Sequence, residues 1–272
     1  MPPSPPAPGA AAKTELRFPW EPESVNRANL VTAALRQLLV RRAPTRAPQT
    51  LLIAAGALVG FAAQNSALEQ GELLTARRDL VAPESLMLRQ SPGGQRYLLG
   101  RWVSAPLLLG YGHGFPLQRF VIQAAAAAGV ARNQFPDYWD LERKIAEGAA
   151  EGEFGRLEPG DGRERLARPQ DTLRALWAPA RRIVTAPMPL EMADEPILSE
   201  AHWPTAMSVV SARLIAMVAD AVPPRLAADL VMEAAIIAAK LDPDLVDPGR
   251  WTLAPSPRGL QIAREDRRRR VA

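Results

Sequence analysis

The chain has 272 residues, 47% of them hydrophobic, enough for one large domain with a sizeable core. It contains no cysteine, which excludes disulfides, thiolate nucleophiles and every cysteine-based zinc or iron–sulfur centre. The formal net charge of +4 belongs to the C-terminal end: from Ser256 onward six arginines stand against Glu265 and Asp266, so the rest of the chain is neutral in sum and has no overall basic character.

Residues 1–13 are rich in proline and alanine and are expected to be disordered. They carry neither a positive n-region nor an apolar h-region, so they do not read as a secretory signal, and the cytoplasm is the expected compartment. A helix is predicted from about Val25 to Arg42, because Ala28, Val31, Leu35, Leu38 and Leu39 fall on one stripe at helical spacing. Ser24 suits its start, Arg41 and Arg42 suit the negative end of its dipole, and Pro44 stops it.

Pro48 opens the next helix, which holds the apolar run from Leu51 to Ala63. At 1.5 Å per residue this run spans roughly 20 Å, against about 30 Å of bilayer hydrocarbon, so a membrane span is not expected. Gly56 and Gly60 lie four apart and offer a small surface to a neighbouring backbone, at a cost of about 1 kcal/mol each relative to alanine. The reading is a central helix buried nearly all round, closed by Gln64, Asn65 and Ser66.

A β-hairpin is predicted around Ser91-Pro92-Gly93-Gly94, with Pro92 and Gly93 as the central pair of a type II turn. Leu86 and Leu88 would share a face with Tyr97 and Leu99 of the partner strand. A short apolar strand before Gly110 is also considered. Pro116 starts a helix with the stripe Leu117, Phe120, Val121 and Ala124, which Gly129 ends. Asp137 to about Ala149 is helical, residues 150–168 read as a surface loop, and Asp171 to about Val184 is helical again. Two very apolar helices, Thr205–Ala219 and Leu226–Leu241, are expected to pair antiparallel across Val222-Pro223-Pro224. On the second, Asp229, Glu233 and Lys240 form a narrow polar strip that either the domain or a second copy of the chain must cover.

Several stretches invite chemical readings. Gly110 to Phe115, "GYGHGF", precedes a helix and could cradle an anion, yet its spacing is G-x-G-x-G with Phe115 where a dinucleotide fingerprint needs glycine, so a tight turn is the plainer reading. His113 within it titrates in the right range for a general base but has no orienting partner nearby in sequence. His202 has Glu191, Asp194, Glu195 and Glu200 around it, but Glu200 and His202 are two apart and would face different ways on a helix, so capping explains the acids better than a metal. Asp242, Asp244 and Asp247 resemble the start of a calcium loop whose fifth position is Val246 and whose closing glutamate is missing, which leaves a turn. Gln64, Asn65 and Ser66 would need partners if buried, either as the wall of a small polar pocket or on neighbouring backbone. The basic tail has no aromatic residue for base stacking, so any nucleic-acid contact would be weak, non-specific and salt-sensitive.

The sequence therefore predicts a mainly α protein (α+β at most): a single helical domain with one β-hairpin over residues 14–255, between the Pro/Ala-rich residues 1–13 and a basic, flexible tail over 256–272. The expected function is that of a soluble, cytoplasmic, non-catalytic helical bundle acting through self-association as a homodimer or through a protein partner, without cofactor or metal. The alternative is a small-molecule-binding protein or enzyme with a pocket near the 56–66 helix end and the 110–116 glycine-rich loop, lined by Gln64, Asn65, Ser66, Tyr97, Tyr111 and His113. Weak anion binding by the tail is the third reading, and no catalytic residue is assigned.

Overall fold

The computed structural model describes residues 22–43, 47–76, 81–109, 116–151, 157, 166–186 and 198–265, with side chains from residue 31 onward. In chain order the elements are α1 (Pro22–Arg42), α2 (Pro48–Ala76), β1 (Met87–Gln90), β2 (Arg96–Leu99), α3 (Arg101–Leu108), α4 (Leu117–Ala127), α5 (Tyr138–Glu151), α6 (Pro169–Thr185), α7 (Trp203–Met217), α8 (Pro224–Lys240), β3 (Trp251–Ser256) and β4 (Gly259–Arg264). The protein is mainly α, with two separate antiparallel hairpins among the described residues.

α2 is the axis of the molecule. It is apolar and long enough by itself to cross a membrane, but its apolar window is wholly buried inside the protein, and every residue from Thr50 to Leu68 is buried. α8, α7, α6, α3 and α1 pack around it. The closest approach is to α8, and the two glycines are its cause. A Cβ on Gly56 would lie 3.0 Å from Val231 Cα and overlap that residue's carbonyl oxygen; one on Gly60 would lie 2.9 Å from Ala235 Cα and overlap its carbonyl oxygen. Only hydrogen fits, so backbone meets backbone, and α8 is buried without a break from Leu230 to Lys240.

The helix does not end at Gln64, Asn65 and Ser66 as their polarity suggests; it runs on to Ala76 with all three buried. Gln64 and Asn65 find partners there, on α8, on Trp251 and on the preceding turn of α2. Gln64 Nε2 donates to the carbonyls of Ala239 (3.0 Å) and Leu241 (2.5 Å), the open C-terminal end of α8. Asn65 Nδ2 donates to the Phe61 carbonyl (2.8 Å), and its Oδ1 accepts from Trp251 Nε1 (3.1 Å).

Three further expectations are corrected. The first hairpin has Leu88 opposite Leu98 and Arg89 opposite Tyr97, one residue out from the expected faces. Alternation could not set this register, because Tyr97 and Leu98 are both buried, on opposite faces of β2. Its turn places Gly94, rather than Gly93, at positive φ (83°), after a turn closed by the Gly94 amide on the Ser91 carbonyl (2.9 Å). The apolar stretch before Gly110 is the helix α3, which tolerates Pro106 and buries Val103, Leu107 and Leu108. Residues 256–264 of the expected tail belong to the second hairpin, where Leu260 and Ile262 are buried and β4 packs on α2. A separate bridge joins Val81 and Leu260 through two backbone bonds (3.1 and 3.0 Å). α7 and α8 both lie chiefly against α2 and touch each other only slightly.

Candidate functional site

Two arrangements gather the polar chemistry of the described residues. The first is the strip on α8. Its Asp229 accepts from Tyr138 of α5 (3.1 Å) and from Arg225 (2.9 Å). Its Lys240 is 1% exposed and donates to Glu142 Oε1 of α5 at 2.5 Å; Ser104 of α3 donates to the same oxygen at 2.9 Å. Glu233 is buried between them in sequence. The domain itself, through α3 and α5, thus covers the strip at Asp229 and Lys240. Burial holds the Lys240 amine below its ordinary range, opposed by the Glu142 charge, and burial beside Asp229 pushes the Tyr138 phenol well above its own. Chemically this is an ion pair with a supporting hydroxyl. Both Ser104 and Lys240 give their protons to one carboxylate oxygen, so a charged Lys240 has no lone pair to activate the serine.

The second arrangement lies where the two hairpins face each other. Pro83, Leu86, Met87, Leu88 and Arg89 on one side and Pro255, Ser256, Pro257, Gly259 and Leu260 on the other enclose a cleft of about 290 Å³. Each hairpin is pinned to the helical body by arginine. Arg96 of β2 holds Asp242 through two nitrogens (2.8 and 3.0 Å) and reaches Asp244 (2.6 Å), contacts that raise its already high pKa. At the second hairpin, Arg250 (4% exposed) donates to Glu200 Oε1 at 2.7 Å, and Arg264 to Glu200 Oε2 at 3.1 Å. Both guanidiniums lie over the Trp251 ring, at 5.4 and 4.7 Å from its centroid. Asp247 receives Trp177 Nε1 (3.1 Å), Arg181 (3.0 Å) and Arg250 (3.4 Å). Burial lowers the pKa of Arg250, yet an arginine remains charged, so the desolvation is a standing cost. The Nε atoms of Arg250 and Arg264 are buried without a hydrogen-bond acceptor.

Against this geometry the sequence candidates separate. Gln64 and Asn65 serve α8 and Trp251, and Ser66 is buried one position on. Tyr97 is 4% exposed and bridges Leu241. Tyr111 and His113, with the rest of the glycine-rich loop, lie outside the described residues, as do Glu191, Asp194 and Glu195. On α4 and the segment after it, Pro116, Ile122, Arg119 and Arg132 line a shallow groove of about 440 Å³. His202 Nδ1 meets Ser199 Oγ at 2.6 Å, while Glu200 is taken by the two arginines. Asp242 does cap a turn, accepting from the Asp244 amide (3.2 Å), but Asp242, Asp244 and Asp247 are above all arginine acceptors. Sequence reasoning passed over Ser104, Glu142, Arg96, Arg250 and the hairpin cleft. The alternation of Leu260 and Ile262 after Pro257-Arg258-Gly259 was the one available signal for the last of these.

The chain matches no protein-family model, no curated protein and no solved structure.

Proposed function

We propose that this protein is a non-catalytic binding protein and that the cleft between its two hairpins takes an apolar side chain, with a neighbouring carboxylate, from an extended segment of a protein partner. The observation that supports this is the pinning of both cleft walls. At the second hairpin, where Arg250 is buried, a desolvated arginine–carboxylate network is a poor way to gain stability, because apolar residues of similar volume do as well or better. It is a good way to fix the angle between two small sheets that share no strand pairing. A preformed cleft of about 290 Å³ lies at the lower edge of ligand-site volumes, a size for a few side chains rather than a large cofactor. Arg89, exposed at the rim, supplies the charge that would select the carboxylate.

Amide chemical shifts of the full chain, titrated with short peptides carrying leucine or valine beside aspartate, test this. Shifts confined to residues 83–89 and 255–260, abolished by Met87→Trp and weakened by Arg89→Glu, are expected. No shift at millimolar peptide, or shifts centred elsewhere, would reject the site. Light scattering in parallel decides whether the partner is a second copy of the chain.

A further inference from the structure

α5 is attached to the body differently from every helix around α2. Of its fourteen residues only Tyr138 and Ala149 are buried, with Leu141 and Ile145 half-buried against the core. Two polar pins tie it to the rest of the protein, Tyr138 on Asp229 and Glu142 on Lys240 and Ser104. Its helicity, by contrast, is self-supported. Asp137 Oδ1 caps the first turn by accepting the Trp139 amide (2.9 Å), and Arg143 bridges Asp140 (3.0 Å) and Glu147 (3.5 Å) along the outer face. A helix that needs little from its neighbours, held by few contacts, is a unit able to leave without unfolding the remainder.

What it covers favours departure. Lys240 is nearly inaccessible, so its ammonium carries a desolvation cost against which the attraction of the half-buried Glu142 carboxylate works. Opening returns hydration to Lys240, Glu142, Asp229 and Tyr138 together. Breaking these pins therefore costs less than breaking the same number of apolar contacts.

We infer that α5 is a strap that opens as a unit while α2 and α8 stay folded, and that its opening brings the Lys240 amine into water. The inference stands apart from the hairpin cleft and does not depend on it.

The lysine inventory makes the test clean, since Lys13, Lys144 and Lys240 are the only lysines. Full-length protein is treated with an amine-acylating ester, and modification is read peptide by peptide beside amide hydrogen exchange. Lys144, exposed on α5, is the reference for a surface lysine. The expected result is α5 amide protection roughly 100-fold below that of α2 and α8, with Lys240 acylated more slowly than Lys144 but at least about tenfold faster than α8 opens. Glu142→Gln should raise both α5 exchange and Lys240 acylation about tenfold while α2 and α8 keep their protection. Tyr138→Phe, which removes the other pin and keeps the ring, should act in the same direction and serves if the first variant folds poorly. Acylation of Lys240 only at the rate of α8 opening, or equal protection of α5 and α8 in the unmodified chain, would overturn the strap.

Discussion

The α2–α8 seam and the hairpin end are built on opposite principles. At the seam, contact is between main chains and apolar side chains; the buried Gln64 and Asn65 amide nitrogens donate to helix carbonyls and Asn65 Oδ1 accepts from Trp251, with Gln64 Oε1 left unserved. At the hairpin end, contact is between charges, with Arg250 and Arg264 sharing one carboxylate and each leaving a buried nitrogen unserved. Shape and burial give stability. Charge networks give placement at a cost in desolvation. A protein that puts the first in its centre and the second around a cleft has separated what keeps it folded from what sets the geometry of a surface.

The largest effect should come from the seam. Gly60→Leu forces a side chain into the Ala235 backbone, and the helices must part. A loss of about 4 kcal/mol or more is expected in denaturant unfolding, enough to remove the cooperative transition from a marginal domain. A loss under about 1 kcal/mol would show that the seam yields, and the contrast between the two regions would fail.

Next comes Glu200→Gln, which takes their shared counter-charge from buried Arg250 and half-buried Arg264, leaving Asp247 at 3.4 Å to the first and Glu69 and Glu72 at 3.7 and 4.0 Å to the second. A cost of about 3 kcal/mol is expected. The sharper experiment adds Arg250→Met and Arg264→Leu to the same chain. Stability should return, because apolar residues pack where ions stood, while peptide-induced shifts at the cleft should not. Recovery of both would mean that the pins do no positioning.

A pH series separates two groups under α5. The Tyr138 pKa is raised, so its contribution is full below the ordinary phenol range of about pH 10 and is lost as pH climbs above it. The Lys240 pKa is lowered, so the unfolded chain holds that proton longer, and stability gains as pH rises toward the ordinary lysine value of about 10.4. Tyr138→Phe should flatten the alkaline loss in thermal melts, and Lys240→Met should remove the gain below it. Unchanged curves in both variants would refute the assignment.

The smallest effect is expected from Asp242→Asn. Arg96 is 38% exposed on its side chain, keeps Asp244, and is screened by solvent, so at most about 1 kcal/mol is at stake, diminishing further in salt.

The elements that could be read from the sequence are those whose ends are set by local chemistry. Pro48, Pro116 and Gly129 mark boundaries because proline and glycine act on their own residue, and the structure has ends there. What could not be read depends on partners far away in the chain. Polarity at Gln64 and Asn65 signalled a helix end only because Ala239, Leu241 and Trp251, which satisfy them, lie some 175 to 186 residues on. The hairpin, too, is tied to a distant part of the chain, since an isolated antiparallel bridge pairs Tyr97 with Leu241. The cleft was hidden for a related reason. Its walls come from residues 83–89 and 255–260, and neither half carries a motif.

The glycine pair on α2 has an evolutionary corollary. Because Gly56 and Gly60 press on the carbonyl groups of Val231 and Ala235, the complementarity uses atoms that nearly every amino acid supplies. Drift along α8 can therefore rewrite that helix's side chains while the docking of the two backbones persists. Almost no replacement is tolerated at the two glycines themselves. Divergent descendants of this architecture would betray their kinship by a pair of glycines four apart, long after the rest of the pattern had faded.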